Sequence, residues 1–485
     1  MQIFFILGIP LALSIAALLI RRHKAMGVLN CFGYLAVLFF SISLLREIAL
    51  SGKAKSFFGF LCMDTLSAFF IFVTSVVSFA TALYSVGYIA RDVQQSRISE
   101  RKARVYYFLF NLFCCSMFFV PALDNLGMLW VAIEMTTLIS AFLVGFYNTK
   151  KSVEAAWKYI IICSVGIIFA LLGTILFSYA FSISGISKSL NWSEITPLAH
   201  ILDKNILKFA FLFILVGYGT KAGLAPMHTW LPDAHSQAVA PISALLSGVL
   251  LKTAVYAIIR FGIILIHGVG LAYFTHLMII FGVISLIISG GFILVQKDLK
   301  RLLAYSSIEH IGIIAIGLGL GSPLAVCGAL LHVFNHAVTK SLMFFGAGNI
   351  VSIYQKHNLN AIRGVLKAMP FTGIMLLLGV FALTGFPPFS LFISEFMVLI
   401  GAFSAQAYLT AGLLLLFLSV IFGAFIYHFG KMLYGNLPKG MAVRREPLSS
   451  KLAFLFLFFM ICAPGVGLLF IKKDLIWFAQ NLLPR

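Results

Sequence analysis

Charge is what this chain lacks. Only 10% of its 485 residues are Asp, Glu, Lys or Arg, where a soluble protein carries roughly 25%. With 61% hydrophobic residues, that shortage excludes a soluble globular protein and implies a polytopic membrane protein. Acids are the scarcer sign, 15 against 35 basic residues, for a net charge of +20. Basic loops beside an anionic inner leaflet account for that excess without nucleic acid, which is not expected as a partner. Cysteine is sparse too. The seven cysteines form no CxxC pair and nearly all sit in apolar stretches, so packing is their expected role and an iron–sulfur or haem site is excluded. No Walker motif is present. "GLGLG" at 317–321 follows no strand and is no dinucleotide fingerprint. No cofactor is expected: the chain alone should neither bind NADH nor carry electrons. No basic residue precedes the first apolar run, and "RRHK" follows it, which fits a retained span rather than a cleaved leader.

What is there is length without charge. A helical span needs ~20 apolar residues. Fourteen runs meet that ruler: about 2–20, 27–45, 62–89, 105–121, 126–147, 157–180, 207–227, 241–266, 268–295, 308–320, 324–353, 370–399, 407–434 and 452–471. The expected fold is all-α, with lipid as its surroundings and no extramembrane domain. Lys and Arg are about threefold more numerous in loops after odd-numbered runs than after even-numbered ones. Odd loops are therefore expected in the cytoplasm, and both termini on the outer side of the inner (plasma) membrane. Lys158, Lys221, Lys252 and Lys340 lie inside or at the edge of runs. Glu134, Glu309 and Glu395 also fall in runs, and Asp64 starts one, where it fits a helix cap.

Two runs are interrupted, the seventh by "GLAPMHTWLPD" (223–233) and the twelfth by "TGFPPF" (384–389). Proline removes a donor and breaks the helical ladder. Within a membrane this is tolerated where the freed backbone faces protein or a hydrated cavity. Pro226 and Pro387 lie 161 residues apart, and the fourth and ninth runs start 163 apart. Two inverted five-helix repeats, runs 4–8 and 9–13, account for both offsets. Paired broken helices of that kind point to a transport site near the midplane. The expected division is an N-terminal three-helix segment (1–104), a first repeat (105–266), a second repeat (268–434) and a C-terminal helix and tail (435–485). The simpler alternative at Pro387 and Pro388 is a kink in a packed helix.

Ionisable groups are costly at the bilayer centre and mark function by default. Glu134 lies near the middle of the fifth run. Lys221 precedes the break in the seventh, and Lys252 is deep in the eighth. A Glu134–Lys221 pair would oppose the loss of charge that burial imposes on the lysine, so breaking the pair would release a proton. Glu309 and His310 are adjacent in the tenth run. In the eleventh, His332, His336 and Lys340 recur at i, i+4 and i+8 on one helix face. A polar wire suits that face, hydrogen-bonded packing histidines being the alternative. A His pair at i, i+4 also fits a metal site, but no carboxylate completes it at HExxH spacing, so no metal is expected. His228 and His235 flank the first break with Asp233 between them, either gating proton entry or capping a hydrated turn. Lys158 follows Glu154 by four residues and is expected at the interface.

These residues carry a resemblance. "APMHTWLPDAHSQA", "LLKTAVYAIIRF", "AYSSIEHIG" and "GFPPFSLFISEF" are close to signature stretches of the antiporter-like, proton-conducting membrane subunits. Those subunits are shared by respiratory complex I, multisubunit cation/proton antiporters and group 4 nickel–iron hydrogenases. "MLWVAIEMTTLISAFLVGFY", "AAWKYIIICSVG" and "NHAVTKSLMFFGAGNI" resemble the hydrogenase-4 component F branch most. The likeness covers most of the chain, strongest over about 105–400. It implies fourteen spans, inverted repeats, and a proton path through Glu134, Lys221, Lys252, His310, His336 and Glu395. Glu309, His332 and Lys340 are less general in the family. It further implies a proton-translocating subunit of a redox-driven respiratory or hydrogenase complex. Other integral subunits and a peripheral redox arm would be its partners, and the redox chemistry would belong to them. A multisubunit Na+/H+ antiporter subunit is the alternative.

Overall fold

The computed structural model describes residues 1–51, 54–57, 59–185, 189–438 and 446–463. It is helical almost throughout. The helices used below are α1 Gln2–Leu19, α2 His23–Ser51, α3 Thr65–Gln94, α4 Glu100–Phe119, α5 Leu126–Val144, α6 Lys150–Ile183 and α7 Lys204–Ala222. They continue as α8 Trp230–Gln237, α9 Ala240–Val269, α10 Leu271–Val295, α11 Leu299–Gly319, α12 Pro323–Tyr354, α13 Pro370–Leu383, α14 Ser390–Ser404, α15 Tyr408–Leu433 and α16 Leu448–Ala463. Among the described residues, eleven helices are long and apolar enough by themselves to cross a membrane. The 32-residue α12 is long enough but too polar, and α13, α14 and α16 are shorter. Among the described residues the one sheet is a small antiparallel hairpin, Lys55–Phe57 with Leu61–Met63, which the sequence reading does not anticipate.

Local signals set the helix starts. Asp64 accepts from the Ser67 amide at 2.8 Å, as expected of a cap. Asn125, Asp203, Asp298 and Ser322 do the same for α5, α7, α11 and α12. The expected tenth run (308–320) started too late, because Lys300 and Arg301 read as loop. Asp298 caps the helix at Leu299 instead, and Lys300 is buried with its ammonium on the Ala238 and Ser236 carbonyls at 2.5 and 3.3 Å. Arg260, within the 241–266 run, lies inside α9. The second half of the fourteenth run, 464–471, lies outside the described residues.

The seventh run breaks as expected. α7 ends at Gly223, a left-handed residue at φ +83°, and α8 begins seven residues later. The twelfth run breaks likewise into α13 and α14, with Gly385 at φ +63°. Burial sorts the helices. The most apolar windows of α9 and α11 are 94% buried, against 33% for α1, α2 and α15. Lys252, Arg260, Lys300 and His310 thus sit on the two most enclosed of these helices, where protein partners offset the cost of burying them.

Candidate functional site

α6 and α7 touch backbone to backbone. A Cβ added at Gly217 would run into the Ala170 amide nitrogen and meet the Gly166 carbonyl at 2.7 Å. One turn on, that contact sets the height of Lys221, which is fully buried. Its ammonium donates to Thr137 Oγ1 and, at 3.2 Å, to the Tyr159 hydroxyl. Tyr159 shares a 2.7 Å hydrogen bond with Ser140. Thr137 in turn donates to Glu134 Oε2 at 3.1 Å, and Ser164 donates to Oε1 at 2.8 Å. The expected direct Glu134–Lys221 ion pair is absent among the described residues; Thr137 stands between them. One helical turn separates Glu134 from Thr137, so the i, i+3 spacing was a signal that could have found it. Glu134 is only half-buried, with exposed Val131, Met135 and Leu138 beside it. The carboxylate thus lies on the flank of the molecule, and the link runs inward from it.

The second polar group lies deeper. α9 contains a π-helical turn, Leu246–Leu250, a distortion common at functional sites. Lys252 donates to the Ser247 carbonyl of that turn at 2.5 Å and to His336 Nδ1 at 2.5 Å. The His336 ring lies 4.6 Å from that of His310. His310 Nδ1 is 3.0 Å from His332 Nε2, and His332 Nδ1 is 3.0 Å from Ser394 Oγ. The hydrogens can be assigned by satisfaction. Ser394 donates to the Leu391 carbonyl at 2.8 Å, so its oxygen accepts from His332 Nδ1–H. His332 Nε2 then accepts from His310 Nδ1–H. Next to Ser394 lies Glu395, 6% exposed, whose Oε1 has no hydrogen-bond partner. His310, His332 and Glu395 offer one nitrogen or oxygen each within 4.8 Å of one another. Lys252, His336, His310, His332 and Glu395 are thus gathered from α9, α11, α12 and α14.

Other expected residues stand apart. Lys340 turns away from the imidazoles to the Leu303 carbonyl, at 2.7 Å, and Ser306 Oγ of α11. Glu309 is buried and forms no ion pair among the described residues. Asp233 does not join His228 to His235. It pairs at the surface with Arg301 and, at 3.4 Å, with Lys158, which also holds Glu154 at 2.6 Å. That ion cluster lines a polar recess of about 340 Å³ with Lys151, Ser236, Gln237 and Asp298. His228 points inward with Nδ1 unpartnered. His235 is buried against Phe344 with both ring nitrogens unpartnered. Sequence reasoning missed Arg260. This side chain is buried, pairs with Asp64, donates to the Tyr256 hydroxyl at 2.9 Å and stacks 3.9 Å over Trp192. It ties α9 to the start of α3. Its position inside the 241–266 run, as a lone guanidinium among apolar residues, and the Tyr256–Arg260 i, i+4 spacing were the signals that could have found it.

Between the two polar groups no direct hydrogen bond joins Lys221 to Lys252 among the described residues. Proton exchange across that interval needs a bridging water or a side-chain movement.

Comparison with known proteins follows the same residues. The family described as NADH:quinone oxidoreductase/Mrp antiporter, TM, matches residues 124–423. The family described as NADH-Ubiquinone oxidoreductase (complex I), chain 5 N-terminus, matches residues 52–97. The chain is 38% identical over 436 residues to a Hydrogenase-4 component F homolog of Methylacidiphilum infernorum, covering 89% of this chain and 90% of that one. It is 31% identical to NADH-quinone oxidoreductase subunit N of Desulforudis audaxviator, covering 73% and 68%. Its fold matches a chain of the membrane-bound sulfane sulfur reductase, an archaeal respiratory membrane complex, with a TM-score of 0.88 at 23% identity over 100% and 98% of the two chains.

Proposed function

The chain belongs to the NADH:quinone oxidoreductase/Mrp antiporter membrane family, and from that premise we propose that it moves protons across the membrane along the buried polar groups. It is an antiporter-like membrane subunit of the hydrogenase-4 and NADH-quinone oxidoreductase type. The observation that carries the proton reading is the relay Glu134–Thr137–Lys221 on one side and Lys252–His336, His310–His332–Ser394 on the other. A cluster of imidazoles, ammonium groups and carboxyls this deep is expensive in a membrane unless it is used. In this reading a redox step in a partner subunit perturbs Glu134 at the flank. Thr137 passes the change to Lys221. The proton crosses the hydrated interval to Lys252, then the histidines, and leaves near Glu395. Coupling comes from two discrete states of these links, biased from both ends.

The architecture falls under the same proposal. With α7–α8 and α13–α14 each counted as one interrupted span, the helices sort into fourteen. Gly223 and Gly385, at equivalent points of the two breaks, are 162 residues apart, which supports inverted repeats at 105–266 and 268–434. The flanking segments are 1–104 and 435–485. The membrane is the inner membrane, with both termini on its outer side. The partners are other integral subunits, a peripheral redox arm that holds the cofactors, and lipid.

The test is direct. Lys221→Met or Glu134→Gln in the assembled complex abolishes proton pumping measured by dye quenching in proteoliposomes; unchanged pumping in both variants would falsify the reading. The Na+/H+ antiporter alternative predicts a different deletion strain, one sensitive to sodium and alkaline pH but with hydrogen- or quinone-linked activity intact.

A further inference from the structure

We propose that His310, His332 and Glu395 form a binding site for a divalent transition-metal cation of the zinc type, at which metal and transported proton compete for the same atoms. The binding half stands on geometry alone; the competition half rests on the proton reading above.

The donor set is two imidazoles and a carboxylate, from α11, α12 and α14, with ligand atoms within 4.8 Å of one another. The sequence reading looked for a metal at His332 and His336, four residues apart on one helix, found no carboxylate and expected none. The tertiary structure supplies the acid from another helix, 63 residues beyond His332. It pairs His332 with His310 rather than with His336, whose Nδ1 is taken by Lys252.

Three features suit a metal. First, Glu395 Oε1 is buried with no hydrogen-bond partner among the described residues. A buried acceptor without a donor is costly, and a cation satisfies it. Second, the His310 Nδ1 to His332 Nε2 separation of 3.0 Å is close to the spacing of two ligands on a tetrahedral ion, about 3.3 Å for bonds of ~2.0–2.1 Å. An ion replaces that hydrogen bond with small movements of the rings. Third, His332 already donates its other nitrogen to Ser394, the arrangement that orients metal-ligating histidines. On binding, the His310 proton moves from Nδ1 to the unpartnered Nε2, and Glu395 gives up any proton it carries. Imidazole donors select zinc, cobalt or nickel over sodium, calcium or magnesium. Three protein ligands leave one position for water.

The second break lies against the site. A Cβ at Gly385 would collide with Glu395 Oε2, so the turn lies directly on the carboxyl. The next residues, Phe386, Pro387 and Pro388, are exposed.

The experiment uses the full-length chain in lipid nanodiscs, titrated with Zn2+ against a chromophoric chelator and with Co2+ read by its visible spectrum. The wild type binds one ion per chain, and cobalt shows the intense bands of a tetrahedral site. Glu395→Gln and His332→Gln lose the site. Ser394→Ala weakens it about 10- to 100-fold, as expected for an outer partner of a ligand. His200→Ala, at an exposed histidine, changes nothing. Affinity falls as pH is lowered. Absence of tetrahedral cobalt bands in the wild type overturns the site, as does binding that survives both ligand substitutions. In the assembled complex, Zn2+ slows pumping by the wild type. Pumping insensitive to bound Zn2+ overturns the competition while leaving the site. A failure of this titration says nothing against proton transfer, which the Glu134 and Lys221 variants test separately.

Discussion

The Thr137 hydroxyl donates to Glu134 and accepts from Lys221, so one small side chain couples a half-buried carboxylate to a buried ammonium. A net hydrogen bond of about 1–1.5 kcal/mol corresponds to roughly a tenfold change in a rate it controls. Thr137→Val is therefore expected to slow pumping by the assembled complex about tenfold, and Thr137→Ser to retain most of it; equal rates in the two variants would remove Thr137 from the relay. Both ends of this link were legible in the sequence, because a lone acid and a lone lysine stand out in apolar runs. The middle was not, because threonine is unremarkable in a helix until a neighbour's ammonium is placed beside it. The Asp64–Arg260 pair has a pH signature. Burial alone would push the Asp64 carboxyl up, but Arg260 and the Ser67 hydrogen bonds outweigh it and hold it below the usual range. A lowered folded value stabilises above the unfolded value of about 3.9 and is lost as pH falls through the folded one. The thermal midpoint of the purified protein should therefore drop on acidification below about pH 4, and Asp64→Asn should remove that component. Arg260→Met should cost about 3 kcal/mol, the low end for breaking a buried pair, since the Asp64 side chain keeps 25% exposure.

At the scale of elements, α6 and α7 are held by small residues that allow their backbones to meet. Gly217→Leu would force them apart and is expected to cost about 1–3 kcal/mol, the range for overpacking, while withdrawing Lys221 from Thr137. The readouts are the thermal midpoint and pumping together. Loss of stability with full pumping would show that the close crossing does not place the lysine. The two broken helices were legible because proline, glycine and polar residues interrupt apolar runs. The start of α11 was not. Lys300 and Arg301 look like loop residues, and only the carbonyls at the end of α8 explain how one of them is buried. Asp233 lies between two histidines in the sequence but not in space. Spacing along a short helix does not say that it turns outward to Lys158 and Arg301 while they turn in.

For the whole molecule, the distribution of lysine and arginine predicts an orientation. Asn148, on a loop, and Lys204, the first residue of α7, are exposed at positions expected on opposite sides. Asn148→Cys should react with an impermeant maleimide only from the cytoplasm, and Lys204→Cys only from outside. Labelling of both from one side would sink the topology. Burial is organised to match. Outer helices such as α1, α2 and α15 carry exposed apolar surface, and α9, α11 and α12 carry buried ionisable groups.

The amino-acid sequence by itself determined the class of the protein, because apolar runs long enough to span a membrane have few other uses. It also determined where helices break and which residues are worth their cost in hydrocarbon, since proline and charge act locally. Only the tertiary structure decided which of those groups meet. It set Thr137 between Glu134 and Lys221, turned Lys340 away from the imidazoles, and brought Glu395 to His310 and His332. Those pairings join helices far apart in the chain, and helix periodicity specifies a face but not the neighbour it will find.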